Sequence, residues 1–209
     1  MKIVVIPVTP YQQNCSLVIC EETKKAALVD PGGEVERILT AIKNHQVTID
    51  KIILTHGHLD HVGGTEPLAA ELGVPVIGPE KEDAFWLNQL EAQSAMFSFP
   101  NTSSFSPTQW LEDGDVIEVG NIKLNILHVP GHTPGHVALF DAVSKQIIVG
   151  DILFNGSIGR TDFPRGDHGQ LISGIKKKLF TLPAETVVFP GHGPTTTIGQ
   201  EKVSNPYLR

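Results

Sequence analysis

Two cysteines, Cys15 and Cys20, are all that the 209 residues contain. That excludes a disulfide framework and argues against a thiolate-rich structural zinc site. Their odd separation puts them on opposite faces of one strand, so they are expected not to bond to each other. Reduced core thiols point to the cytosol. No apolar run approaches the length of a membrane span. The first apolar run, over residues 3–6, is too short for a signal peptide, and no small-residue cleavage site follows it. Positive charge is not in surplus. The net charge is −7 and the pI about 5.7, which sets nucleic acid and anionic membranes aside as partners. No linker or low-complexity stretch interrupts the chain, so residues 1–209 are expected to form one domain with its own core. Nothing marks an oligomer interface, and a monomer is the expectation.

What is present is concentrated. Thr55-His56-Gly57-His58-Leu59-Asp60-His61 carries three imidazoles and a carboxylate within six residues. It follows the apolar run Lys51-Ile52-Ile53-Leu54, which reads as a buried strand, and precedes the turn Val62-Gly63-Gly64-Thr65. Four possible ligands thus stand where a strand ends, the usual place for chemistry in α/β proteins. Imidazole with carboxylate suits zinc, iron or manganese. Core packing is a poor explanation for three histidines so close together with Asp60 between two of them.

The rest of the chain supplies a frame. Residues 3–6, 16–19 and 26–30 read as the first strands. Val35, Ile38, Leu39 and Ile42 stand at helical spacing within 35–45. Thr65 is the expected cap of the next helix, with Pro67 in its first turn and Gly73 closing it. Residues 74–77 read as a short strand. The stretch 80–107 reads most simply as a helix followed by a surface loop, in preference to a cover over the site. Residues 115–119, 123–129, 137–141 and 146–149 read as further strands. Asp167 is expected to cap a helix over 168–179, with Gln170 completing a capping box and Leu171, Ile172, Ile175 and Leu179 as its buried stripe. Residues 186–189 are the last strand. Strands followed by a helix, twice over, predict an α+β fold of two sheets face to face with helices outside.

Three later residues repeat the placement of the first cluster. His132 stands just past a strand in Gly131-His132-Thr133-Pro134-Gly135-His136. Asp151 ends Val149-Gly150-Asp151, and His192 follows Phe189-Pro190-Gly191. Glycine beside each lets the backbone turn sharply and pass close to a ligand cluster. Seven donors, namely His56, His58, Asp60, His61, His132, Asp151 and His192, are too many for one tetrahedral zinc. They fit two metals sharing a carboxylate, and Asp151 is the best bridge because its two oxygens can bind different ions. Two ions about 3.5–4 Å apart can hold a hydroxide and polarise a carbonyl. If only one ion binds, Asp60 can serve as the catalytic general base towards water.

With these motifs the chain resembles the metallo-β-lactamase superfamily, and within it the glyoxalase II-like hydrolases. The matching segments are the 55–61 cluster, Gly131-His132, Gly150-Asp151 and Gly191-His192, and the resemblance runs from Asn14-Cys15 and Asp30-Pro31-Gly32 to Pro190-Gly191-His192-Gly193. It implies an αββα sandwich of two mixed β-sheets flanked by helices, with the site at one edge. It implies His56, His58 and His132 on a first metal, Asp60, His61 and His192 on a second, and Asp151 bridging. Gly159-Arg160-Thr161-Asp162 looks like the Gly-Arg-x-Asp segment shared by glyoxalase II and the persulfide dioxygenases. The ending from Pro190 to Thr197 looks like that of short bacterial glyoxalase II homologues, which implies a chain without the C-terminal helical region that contacts glutathione in longer members. The sequence therefore names no substrate-binding residue. His136 is expected beside the metals or as a satisfied core histidine, and Arg160 with Asp162 as an ion pair steadying the loop. Arg165 and Lys176-Lys177-Lys178 read as a solvated face.

The expectation is a cytosolic metallohydrolase attacking the carbonyl of a small thioester, S-lactoylglutathione or a relative. Its cofactor would be zinc, one or two ions, with iron or manganese possible. Other readings stay open on these residues. One is a persulfide dioxygenase with a single iron on His56, His132 and Asp151. The others are a lactonase and a metal-binding module without turnover.

Overall fold

The structure, a computed structural model, describes residues 1–209. The first half runs β1 (Lys2–Val8), β2 (Gln13–Ile19), β3 (Lys25–Val29), α1 (Val35–His45), β4 (Thr48–Ile53), α2 (Leu59–Val62), α3 (Thr65–Leu72) and β5 (Val76–Ile77). Its five strands form one sheet in sequence order, antiparallel from β1 to β3 and parallel from β3 to β5. Two short helices, α4 (Ala84–Leu87) and α5 (Leu90–Phe97), lead into the second half. There the chain runs β6 (Val116–Val119), β7 (Ile122–His128), β8 (Val137–Asp141), β9 (Gln146–Gly150), the hairpin β10 (Leu153–Phe154) and β11 (Ser157–Ile158), α6 (His168–Gly174), β12 (Val187–Pro190), β13 (Thr196–Thr197) and α7 (Ile198–Ser204). The second sheet has the order β13-β12-β9-β8-β7-β6, with β12 parallel to β9.

Side-chain alternation along the strands explains the layers. On β2, Cys15, Leu17 and Ile19 face a core shared with Ile38 and Ile42 of α1 and Leu68 of α3. Val18 faces the other way, into a core shared with Ile117, Leu124, Leu139 and Ile148 of the second sheet. The outer face of that sheet packs Ala138, Phe140, Ile147 and Val188 against Leu171, Ile175, Leu179 and Ile198. The result is helix, sheet, sheet, helix, the αββα sandwich that the sequence implied. The two cysteines obey the same alternation. Cys15 lies in the outer core and Cys20 between the sheets, and both are free. Burial, with Asp30 nearby, raises the Cys15 thiol far above its usual range, so it stays a thiol.

Burial also decides where helices form. In α6, Gly169 and Gly174 cost about 1 kcal/mol each against alanine. Leu171, Ile175 and Leu179 are fully buried, and each such side chain contributes about 1.5–3 kcal/mol relative to exposure. The stripe outweighs the glycines. The helix keeps α geometry only to Gly174, and Ile175–Leu179 continue as a π-helical turn. Asp167 caps it by accepting from the Gln170 N–H at 2.9 Å, while the Gln170 side chain makes no return bond, so the capping box is half formed.

Thr65 departs from expectation. It is the first residue of α3, and Gly64 stands in the cap position without a side-chain bond. The cause is the turn at 31–33: the Gly64 N–H donates to the Pro31 carbonyl at 2.8 Å, and a Cβ on Gly64 would come within 2.8 Å of that oxygen. The chain must pass this turn before the helix can start. No helix is long and apolar enough to cross a membrane.

Candidate metal centre

Four strand ends meet along one edge of the sandwich. β4 runs into His56 and His58, β7 into the loop that holds His132, β9 into Asp151, and β12 into His192. The four-residue helix α2 carries Asp60 and His61. Asn14, on β2 of the first sheet, fastens the last loop of the second. Its backbone N–H donates to Gly191 O at 2.7 Å, and its side-chain amide to Pro190 O and Gly193 O at 3.0 and 2.9 Å.

Hydrogen bonds at Nδ1 set the direction of four histidines. His132 Nδ1 donates to Arg160 O at 2.7 Å, and His192 Nδ1 to Tyr11 O at 3.1 Å. His61 Nδ1 donates to the Asp30 carboxylate at 2.9 Å. The Thr55 hydroxyl also donates to Asp30, at 2.6 Å, so its oxygen is left to accept from His56 Nδ1 at 3.0 Å. In each ring Nε2 is left for the site, an arrangement usual around metal ligands. His58 is held differently. Its ring meets Trp86 and Phe163 edge-on at 4.4 and 5.2 Å, and its Nδ1 lies 3.0 Å from His132 Nε2.

The donors fall into two groups. Those of His56, His58 and His132 lie within 4.8 Å of one another, as do those of Asp60, His61 and His192. Asp151 stands between them. Its Oδ1 is 3.3 Å from His61 Nε2, and its Oδ2 is 3.7 Å from both His132 Nε2 and His192 Nε2. Asp30, His56 and His61 form a third compact group. There, however, both Asp30 oxygens already accept hydrogen bonds from Thr55 and His61, so Asp30 orients the site. His56 Nε2 and His58 Nε2 are buried without any hydrogen-bond partner, and His61 Nε2 and Asp151 Oδ1 have only each other, at 3.3 Å. Such an orphan costs about 1–3 kcal/mol, which a cation bound at these atoms would offset. Five imidazoles and two carboxylates suit zinc, iron or manganese, so the residues fit a metal centre.

Electrostatics agree with that use. Burial holds His56 and His58 well below the ordinary imidazole range, so both are neutral and ready to donate a lone pair. Burial pushes His61 down as well, but the Asp151 and Asp60 carboxylates outweigh it and hold that ring well above the range. Asp151 is the counterpart. Burial raises its carboxyl, but His61, then His132 and His192, overcome this and keep it ionised.

Supporting residues lie just behind. The fully buried His136 stacks on His56 at 4.4 Å. Its Nδ1 donates to Val137 O and its Nε2 accepts the Asp151 N–H at 3.0 Å, so it fixes the backbone of the central carboxylate. Arg160 and Asp162 form the expected ion pair through two bonds of 2.7 Å, both side chains exposed. Arg160 adds its carbonyl, which orients His132. Asp83 was not visible as a site residue in the sequence. Fully buried, it accepts from Gly57 N and the Thr133 hydroxyl, both at 2.8 Å, and from Gly135 N, clamping the His56–His58 and His132 loops together.

A cleft of about 550 Å³ opens onto these donors. His58, Asp60, His132, Asp151 and His192 face it, while His56 and His61 are sealed behind. Trp86, Gln93, Phe97 and Phe99 form part of its wall; the helix expected in 80–107 is present as α4 and α5, and the preference for a surface loop over a cover is corrected. The apolar residues of α4 and α5 need a core. Leu87 and Leu90 find it under the first sheet, which lays the segment across the site. Gln93 then ties it down, accepting from Leu59 N at 3.0 Å and donating to Trp86 O at 2.9 Å.

Known proteins resemble this chain in sequence and fold. The profile of the metallo-beta-lactamase superfamily matches residues 8–192. Hydroxyacylglutathione hydrolase GloC of Haemophilus influenzae is 46% identical over 209 residues, covering 100% of this chain and 98% of its own. The crystal structure of BLEG-1 B3 metallo-beta-lactamase superposes with a TM-score of 0.92 at 35% identity, covering 99% of both chains. TTHA1623, solved in a di-iron-bound form, superposes with a TM-score of 0.90 at 37% identity, covering 98% of this chain and 100% of its own.

Proposed function

This chain belongs to the metallo-β-lactamase superfamily and is a metallohydrolase; from that premise we propose that it hydrolyses a small thioester, S-lactoylglutathione or a close relative. The observation that carries this reading is Asp151, one ionised carboxylate between two donor groups at the floor of an open cleft. The likeness to a hydroxyacylglutathione hydrolase supports the thioester, and the di-iron form of TTHA1623 supports a pair of ions.

In this reading His56, His58 and His132 would hold one ion, Asp60, His61 and His192 would hold the other, and Asp151 would serve both. The ions would be zinc, or iron or manganese, which the same donors suit. Bound there, they would supply Lewis acidity, bringing the pKa of water to near 7 and polarising a carbonyl. The chain's own residues do the rest. His56 and His58 arrive neutral and need lose no proton to ligate. His61 gives up its proton on loading, since a ligating ring is neutral. Asp60 faces the cleft with its Oδ2 3.2 Å from His192 Nε2. Should only one ion bind, Asp60 is instead the carboxylate that can take a proton from an attacking water. Water adds to the thioester carbonyl, the C–S bond breaks, and the thiol departs with little acid assistance because thiols ionise near 8.5.

The test is thiol release from S-lactoylglutathione by protein loaded in turn with zinc, iron and manganese. Activity is expected with at least one metal, and a loss of about 100-fold or more in His58→Ala, the scale on which removal of one key electrostatic group acts. No release from any loaded form would overturn the reading. Oxygen uptake on glutathione persulfide by the iron form would then identify a dioxygenase instead.

A further inference from the structure

The cleft wall is aromatic, and this says something about the substrate beyond its reacting bond. Tyr11, Trp86, Phe97, Phe99, Phe154 and Phe163 all line it. They are arranged as ring contacts. Tyr11 stacks on Phe99 at 5.5 Å, and Trp86 meets Phe163 edge-on at 6.0 Å, both within the range of favourable aromatic pairs. Tyr11 is 50% exposed and Phe97 39%. Large apolar side chains left open to water together at the mouth of a cleft mark a binding surface.

Charge is treated differently there. Arg160 is the only lysine or arginine in the lining. Its Nε and Nη2 are both taken by Asp162 at 2.7 Å, and its guanidinium lies 4.0 Å over the Phe163 ring. Two of its five N–H groups are thus committed and its charge is already paired with a carboxylate. A glutathionyl group carries two carboxylates and an ammonium, and this wall offers the carboxylates no lysine or arginine beyond that paired one. A flat apolar group, by contrast, finds ring faces and edges on several sides.

We propose that the substrate presents an aromatic or similarly apolar group to this wall, on the acyl or the thiol side of the scissile bond, in preference to a charged peptide alone. The assignment to a thioester rests on the function proposed above; the preference for an apolar group rests on the cleft.

Three substrates and two ligands test it on the metal-loaded enzyme. S-lactoylglutathione is compared with S-mandeloylglutathione, which adds a phenyl ring on the acyl side. It is also compared with the lactoyl thioester of benzyl thiol, which replaces glutathione by an aromatic thiol. The kcat/KM of at least one aromatic substrate is expected to exceed that of S-lactoylglutathione about tenfold, the worth of a good aromatic contact. Phe97→Ala and Tyr11→Ala should each reduce that ratio several-fold. Calorimetry gives a readout free of turnover: S-benzylglutathione should bind about tenfold more tightly than S-methylglutathione. Turnover of all three substrates at equal kcat/KM, with equal binding of the two thioethers, would overturn the aromatic preference and leave the thioesterase standing. No turnover of any, with S-benzylglutathione still bound more tightly, would remove the thioesterase and keep the cleft assignment.

Discussion

Four of the five imidazoles in the two donor groups are aimed by what each does with its other nitrogen; His58 is the exception. A carbonyl, a carboxylate or an already committed hydroxyl takes the Nδ1 proton, and Nε2 is turned to the site. The partners are scattered through the sequence. Asp30, Thr55, Arg160 and Tyr11 serve His61, His56, His132 and His192 in that order, and only Thr55 adjoins the histidine it serves. Asp83 works one step further out and has a measurable signature. Burial pushes its carboxyl from 3.8 up to about 7, against the pull of three hydrogen bonds. Below pH 3.8 both folded and unfolded chains keep this proton. Between there and about 7 the folded chain keeps it while the unfolded chain has lost it, so Asp83 makes stability fall as pH rises through that window. Above about 7 the deficit is constant. Urea unfolding of the metal-free protein at pH 4.5 and pH 7.5 is expected to show this fall in wild type and to show less of it in Asp83→Asn. Equal pH dependence in the two proteins would contradict the assignment.

The strand ends are the elements that matter, and their glycines are where side chains cannot fit. A Cβ on Gly159 would lie 1.8 Å from Asp151 O and 3.2 Å from His132 Nδ1. Gly159→Ala is therefore expected to displace the Asp151 backbone or the His132 ring and to lower metal affinity by at least tenfold, read by competition with a chromophoric chelator. Unchanged affinity would mean the loop after β11 does not position the centre. Much of this was legible in advance. The cluster from His56 to His61, Gly131-His132, Gly150-Asp151 and Gly191-His192 each announce a donor by residue type just past an apolar run, and the fold brings these donors together. The pattern cannot show which distant group orients a ligand, because Asp30 and Asp83 look like ordinary turn and helix-cap residues until the chain closes. The cleft wall was hidden for a related reason. Trp86, Phe97 and Phe99 sit in a stretch without clear periodicity, and only the burial of Leu87 and Leu90 beneath the first sheet lays it over the site. The misplaced cap at Thr65 had the same origin, a long-range contact with the 31–33 turn overriding a local signal.

At the scale of the whole molecule, the site is also a clasp. The first sheet contributes His56, His58, Asp60 and His61, the second His132, Asp151 and His192, and the two meet across one edge. Metal bound to both halves stabilises the folded state by mass action, about 2.7 kcal/mol at a free concentration 100 times Kd. For a chain of this length that is roughly 5–10 °C of Tm. Stripping the metal with a strong chelator is expected to lower Tm by several degrees, and restoring it to recover the difference. A Tm indifferent to metal would mean the donors do not join the halves.

The most direct test of the account joins metal count to chemistry in one titration. Metal-free protein is supplied with zinc, and separately with iron or manganese, from zero to three equivalents. Bound metal and thiol release from S-lactoylglutathione are measured at each step. The expected result is binding that saturates at two equivalents in wild type, thiol release that grows with occupancy, and saturation below two with little release in Asp151→Ala. Full occupancy by every metal without thiol release, or two ions held as tightly without Asp151, would contradict it.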